Sequence, residues 1–126
     1  MIQVGSFLNI IDNSGAKVAF CIRVITGHKA QYAGIGDTIL VSIKRVRKRR
    51  RDPLKMTKGK IFKALILRVK VGTKKVNGNS YKFLENAAIL MTRQNKLVAT
   101  RILGLITKDF RYTKFVRLLI LSAGIV

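Results

Sequence analysis

Cysteine, histidine, proline, tryptophan and acid are all scarce in this chain of 126 residues. The single cysteine, Cys21, has no partner for a disulfide and belongs to no cysteine-rich zinc motif. It falls mid-strand among apolar residues and reads as an inert buried thiol. The single histidine, His28, sits in Gly27-His28-Lys29 and reads as a solvated or phosphate-facing loop residue, not as a catalytic base. The five acids, Asp12, Asp37, Asp52, Glu85 and Asp109, lie far apart. Four of them fall at turn or cap signals, where a carboxylate bonds local backbone. Gly34-x-Gly36 lacks the third glycine and the following helix of a dinucleotide fingerprint, and no Walker-type lysine motif occurs. No enzyme, metal, cofactor or small-molecule substrate is expected. Tryptophan is absent, with six Phe and three Tyr. Phe7, Phe20, Phe62 and Phe83 read as core, and no exposed aromatic pair for stacking single-stranded bases is expected. No apolar run approaches the roughly 20 residues that cross a bilayer. Met1-Ile2-Gln3-Val4 leads straight into strand-like sequence, so neither a signal nor a transit peptide is expected.

Positive charge is what the chain has in excess. Lys and Arg number 26 against five acids, a formal charge of +21. A core built from the 48% apolar residues cannot hold them. They must cover the surface, where they repel one another unless a polyanion neutralises them. Nucleic acid is the expected partner. The densest stretch, Lys44 to Lys63, holds 11 Lys or Arg in 20 residues. Within it Lys44, Arg45, Arg47, Lys48, Arg49, Arg50 and Arg51 are nearly contiguous, and Lys55, Lys58, Lys60 and Lys63 follow. Arginine dominates the first part, and its planar fork suits two-point phosphate binding. The stretch shows no apolar face able to bury itself, so it is expected to order only on RNA. Lys17, Arg23, Lys29, Arg68, Lys70, Lys74, Lys75 and Lys82 spread further charge over strands and turns. Charge on several faces suits an object embedded in folded RNA. A membrane-surface protein would concentrate it opposite one apolar helical face. Binding is expected through phosphates and shape, since duplex RNA hides its base edges.

The dominant pattern is β. Alternation runs through Val18 to Ile25, Thr38 to Arg45 and Phe62 to Val71, with shorter candidates at Leu8 to Ile11, Ser80 to Leu84 and Ala87 to Met91. Asp12-Asn13-Ser14-Gly15 reads as a turn closed by side-chain bonds to local backbone, and Asn77-Gly78 as a hairpin tip. Several short strands with turns between them predict a small closed barrel in a single domain. The barrel is expected over about 1–100, a basic arm leaving it over about 44–63, and a helical segment over about 105–122. In that last segment Thr107 is placed as a helix cap with Asp109 near the positive dipole end. Phe115, Leu118 and Leu119 have helical spacing, though Leu118 to Leu121 would also suit a strand.

These residues resemble a known family. Met1-Ile2-Gln3, Leu8-Asn9, Asp12-Asn13-Ser14-Gly15-Ala16, Cys21-Ile22-Arg23-Val24, Tyr32-Ala33-Gly34-Ile35-Gly36-Asp37 and Lys63-Ala64 follow in order. So do Ala64-Leu65-Ile66-Leu67, Asn77-Gly78, Phe83, Asn86, Ile89-Leu90, Thr100-Arg101-Ile102-Leu103-Gly104, Thr107, Arg111 and Lys114-Phe115. Across nearly its whole length the chain resembles the universal large-subunit ribosomal protein L-fourteen family. It departs from that family in Gly104-Leu105 where Gly-Pro is usual, in a longer and more basic central loop, and in Arg93-Gln94-Asn95-Lys96 where relatives carry acids. The resemblance implies a five-stranded β-barrel with a protruding basic β-ribbon and short carboxy-terminal helices. It implies large-subunit ribosomal RNA, neighbours of the L-nineteen and L-three types, and small-subunit RNA at an intersubunit bridge as partners. It places Thr100, Arg101, Lys114 and Arg117 at that bridge, the face where a ribosomal silencing factor docks in bacteria and mitochondria. Lys114 and Arg117 are expected to share one helix face. Scarce acid, frequent Ile, Lys and Phe, and the missing presequence point to a mitochondrial ribosome, with the bacterial cytoplasm as the alternative.

Overall fold

A computed structural model describes residues 1–48 and 56–126, so Arg49, Arg50, Arg51 and Lys55 lie outside the described residues. In chain order the elements are β1 (Ile2–Gln3), β2 (Phe7–Ile10), β3 (Ala16–Val24), β4 (Tyr32–Ala33), β5 (Thr38–Val46) and β6 (Ile61–Arg68). Then come β7 (Thr73–Lys74), β8 (Ser80–Tyr81), β9 (Ala87–Met91), β10 (Ile102–Ile106), a 3-10 helix (Lys108–Tyr112), α1 (Arg117–Leu121) and β11 (Ser122–Ile125). Strands β2, β3, β5, β6 and β9 close into the expected five-stranded barrel. Every pairing in it is antiparallel except β2 with β9, which runs parallel and shuts the cylinder at Asn9↔Ala87 and Ile10↔Ala88.

Alternation explains the barrel interior. Leu8 and Ile10, Ala19 and Cys21, Ile39, Val41 and Ile43, Ala64 and Ile66, and Ala88 and Leu90 all point inward and are buried. Two strands break the alternation because both their faces are covered. Ala64-Leu65-Ile66-Leu67 and all of Ala87–Met91 are buried. The outward residues Leu65, Leu67, Ala87, Ile89 and Met91 form a second core with Ile102, Ile106, Phe110 and Leu118. The carboxy-terminal segment therefore lies over the outside of β6 and β9. On the opposite side, β2, β3 and β5 have no such cover, and their outward residues reach solvent.

Several expectations change. Phe7 is not core: it is 60% exposed, and Phe20 is half-buried beside it on the outside of the barrel. Leu8 and Ile10 take the inward positions of β2, which forces Phe7 and Asn9 outward. The arm is partly built into the barrel. Lys44, Arg45 and Val46 belong to β5, the Gly59 N–H donates to the Ile43 carbonyl, and Met56 joins the barrel core. The carboxy-terminal segment is less helical than its spacing suggests. Thr107 makes no side-chain cap, α1 is only five residues long, and Ser122–Ile125 pairs in parallel with β10. The Asn77-Gly78 turn forms as expected, with Gly78 at φ +81° between the short strands β7 and β8.

Gly104 in β10 illustrates a residue fixed by its surroundings. Its φ is +84°, and a Cβ there would collide with the Arg68 guanidinium. Gly104→Ala is expected to lower the unfolding free energy by about 1–3 kcal/mol, read as a lower urea midpoint. An unchanged midpoint would mean that the strand relaxes away from Arg68 at no cost.

Candidate nucleic-acid interface

The exposed described cations ahead of Arg93 fall into four regions of the surface. Lys17 and Arg23 on β3, with Lys44 and Arg45 on β5, are exposed on the open side of the barrel. Lys48, Lys58 and Lys60 are exposed where the chain leaves and rejoins it. Lys70, Lys74 and Lys82 are exposed around the β7–β8 ribbon, and Lys29 lies exposed in the loop before β4. Arg47 is half-buried, its backbone N–H donating to the Gly15 carbonyl at 2.7 Å.

The described acids do little to neutralise this field, because each is engaged inside the fold. Asp12 is fully buried. Its Oδ1 accepts the Ser14 N–H at 3.0 Å and the Ser14 hydroxyl, and its Oδ2 accepts the Leu90 N–H at 2.9 Å. Asp37 accepts the Gly34 N–H at 2.7 Å. Glu85 pairs with Arg68 at 2.6 Å and accepts from Asn9 Nδ2 at 2.9 Å. Asp109 takes the Tyr81 hydroxyl at 3.1 Å and Lys75 Nζ at 3.4 Å. Burial, and then the Asp109 carboxylate, pushes the Tyr81 phenol up, against a smaller opposing bond from Thr73. Among the described residues only two ion pairs form, Arg68–Glu85 and Lys75–Asp109. Most of the positive charge is therefore left for an external anion.

Four expected RNA-binding cations have internal work, the first being Arg47, which donates from Nη2 to the Ile10 carbonyl at 3.5 Å. Arg68 donates from Nε to the Leu105 carbonyl at 2.8 Å and from Nη2 to the Leu103 carbonyl at 2.6 Å, while Nη1 holds Glu85. It clamps β10 to β6, and its fork has no open edge for phosphate. Arg68 thus serves the scaffold, a role that charge in the sequence does not reveal. Lys63 Nζ reaches the Arg93 carbonyl at 3.0 Å and Asn95 Oδ1 at 3.2 Å. Lys75 lies over the Tyr81 ring at 5.0 Å.

The proposed bridge residues are partly gathered. Thr100, Lys114 and Arg117 line one open groove floored by Leu97, Phe115, Leu118 and Leu121. Arg101 follows Thr100 and is exposed. Lys114 and Arg117 do not share a helix face, since Lys114 lies in the turn before α1 and Arg117 begins it. Their proximity comes from that turn. The positioning residue missed by sequence reasoning is Asn13. Its Oδ1 accepts the N–H of Thr100 at 3.0 Å and of Arg101 at 3.3 Å, and its Nδ2 donates to Thr100 Oγ1 at 3.0 Å. The Asp12-Asn13 turn was legible, but only closure of the fold shows that Asn13 serves a segment 87 residues away.

His28 stands in an exposed loop. Burial pushes the Cys21 thiol up, against a smaller opposing bond from the Arg23 backbone. Among the described residues no three of His, Cys, Asp or Glu approach one another as metal ligands. No helix among them is long and apolar enough to cross a membrane. Compared with protein-family models, the chain matches that of Ribosomal protein L14p/L23e over residues 1–126.

Proposed function

Because the chain belongs to the ribosomal protein L14p/L23e family, a structural, non-enzymatic constituent of the ribosome acting in translation, we propose two contacts for it there. The first is to large-subunit ribosomal RNA, through the exposed cations Lys17, Arg23, Lys29, Lys44, Arg45, Lys48, Lys58, Lys60, Lys70 and Lys74, with Arg49, Arg50, Arg51 and Lys55 continuing the set. The second is an intersubunit bridge to small-subunit RNA, through Thr100, Arg101, Lys114 and Arg117. Family membership makes ribosomal RNA and ribosomal proteins its partners. Neighbours of the L-nineteen and L-three types, a silencing factor at the bridge face and residence in a mitochondrial ribosome belong to the same proposal. So does the division into a barrel, a basic arm and a carboxy-terminal segment.

One observation supports this reading above the others: every described acid is engaged within the fold, and among the described residues no fully exposed cation has a carboxylate partner. So unbalanced a surface repels itself, and a dense polyanion relieves that cost. Changing Arg45, Lys48 and Lys58 together to Ala is expected to weaken binding to large-subunit RNA. It should also flatten the dependence of log K on log salt by about 2–3 units, close to one per phosphate contact. A slope equal to that of the unmodified protein would place these three side chains in solvent and remove them from the interface.

A further inference from the structure

The open side of the barrel carries a largely apolar row that is partly exposed among the described residues. The register runs Phe7↔Phe20 between β2 and β3, Phe20↔Ser42 between β3 and β5, and Ser42↔Ile61 between β5 and β6. These four side chains therefore stand in line across four strands. Phe7 is 60% and Ile61 58% exposed. Phe7 and Phe20 meet edge to face, with ring centroids 5.2 Å apart and planes at 64°. The equivalent surface over β6 and β9 is sealed by the carboxy-terminal segment, so exposure here is specific to this side.

Charge borders the row on both long edges. Two residues from Ser42 along β5 lie Leu40 on one side and Lys44 on the other. On the Leu40 side, the register Arg23↔Leu40↔Lys63 sets a cation on each neighbouring strand. On the other side, Lys44 Nζ lies over the Phe20 ring, 5.2 Å from its centroid, and leaves Phe7 as the more open ring. Strands β2, β3, β5 and β6 contain no acidic residue. An apolar protein segment would fill the strip but leave the bordering cations desolvated and unpaired, which is costly. A single RNA strand supplies a flat base for the rings and phosphates for the borders.

We propose that Phe7, braced edge to face by Phe20, gives a stacking platform for an unpaired nucleobase of ribosomal RNA, with Ile61 extending the apolar strip and Arg23 and Lys44 taking the adjoining phosphates. The proposal rests on the reading that the chain binds ribosomal RNA, and adds base contacts where only phosphate contacts were expected.

The test uses the full chain with two probes, a short single-stranded oligoadenylate and an RNA duplex of the same length. Replacing both rings (Phe7→Leu with Phe20→Leu) keeps the surface apolar but removes the stacking faces. Affinity for oligoadenylate is expected to fall about 5- to 100-fold with an unchanged salt slope, the range of a lost base–aromatic stack. Duplex affinity should stay within about two-fold, an unchanged urea midpoint shows that the variant is folded, and Phe7→Tyr with Phe20→Tyr should restore oligoadenylate binding. The chain has no tryptophan, so Phe7→Trp introduces a single indole reporter. Its emission is expected to be quenched by oligoadenylate and not by duplex. Undiminished oligoadenylate binding by the leucine pair, or equal loss on both probes, overturns the platform while leaving RNA binding intact. Failure of the unmodified chain to bind either probe overturns the RNA-binding reading and the platform with it.

Discussion

Asp12→Ala is expected to destabilise the protein by about 3 kcal/mol or more, a large share of the roughly 5–15 kcal/mol that holds a domain folded. Asp12 is fully buried, and its two oxygens accept three bonds, from the Ser14 N–H, the Ser14 hydroxyl and the Leu90 N–H. Bonds to a charged acceptor contribute about 1.5–3 kcal/mol each, and removing the acceptor strands buried donors that water cannot reach. The position magnifies the loss. Asp12 ends the β2 arm of the barrel, bonds into β9 and bridges to Ile102 at the start of β10. Alanine there loosens the joint between barrel and carboxy-terminal segment and frees Asn13 from Thr100 and Arg101. Asp12→Asn, which keeps one acceptor oxygen and turns an amide N–H toward a donor, should fall between alanine and the native residue. Urea unfolding at constant m value gives the answer. A midpoint within experimental error of the native one for Asp12→Ala would mean that Ser14 and Leu90 find other acceptors, and that the carboxylate does not hold this joint.

How far the sequence reveals this protein depends on which physical constraint acts at each residue. Thr38–Val46 and Ala87–Met91 were legible because a strand wall repeats every second residue or is buried on both faces, and both patterns are local. The Asn77-Gly78 turn was legible because φ > 0 has few residue solutions. Phe7 and Phe20 were misplaced because an aromatic ring counts as core by type. In a four-residue strand, alternation alone leaves the inward face ambiguous. Closure of β2 onto β9 is what sends Leu8 and Ile10 in and Phe7 out. Arg68 shows a related limit. Its charge says that it needs acceptors, but not that the Leu103 and Leu105 carbonyls of a distant strand will supply them. Composition points to the cationic surface, resemblance alone carries the proposal of a bridge, and only the three-dimensional fold reveals that Asn13 ties Thr100 and Arg101 to the barrel.

Reversing charge at Arg101 and Arg117 (Arg101→Glu with Arg117→Glu) is expected to leave large subunits assembled but reduce their joining to small subunits about ten-fold or more, most strongly at low magnesium. Both side chains are exposed, and neither forms an internal ion pair or side-chain hydrogen bond among the described residues, so folding should change by no more than about 0.5 kcal/mol. Their backbones, by contrast, are fixed. Arg101 is held by Asn13 on one side and by buried Ile102 on the other, and Arg117 precedes the fully buried Leu118. Rigid backbones with free guanidiniums suit recognition of a second, separately moving RNA, since little order has to be gained on contact. Each reversal replaces an attraction to phosphate by a repulsion, and magnesium screens both, which is why the defect should deepen as magnesium falls. Tenfold corresponds to about 1.4 kcal/mol, modest for two reversed contacts at a partly desolvated interface. Sedimentation of variant ribosomes across a magnesium series reads both steps at once. Normal joining at every concentration would refute the bridge, and a deficit of large subunits themselves would assign Arg101 and Arg117 to large-subunit RNA instead.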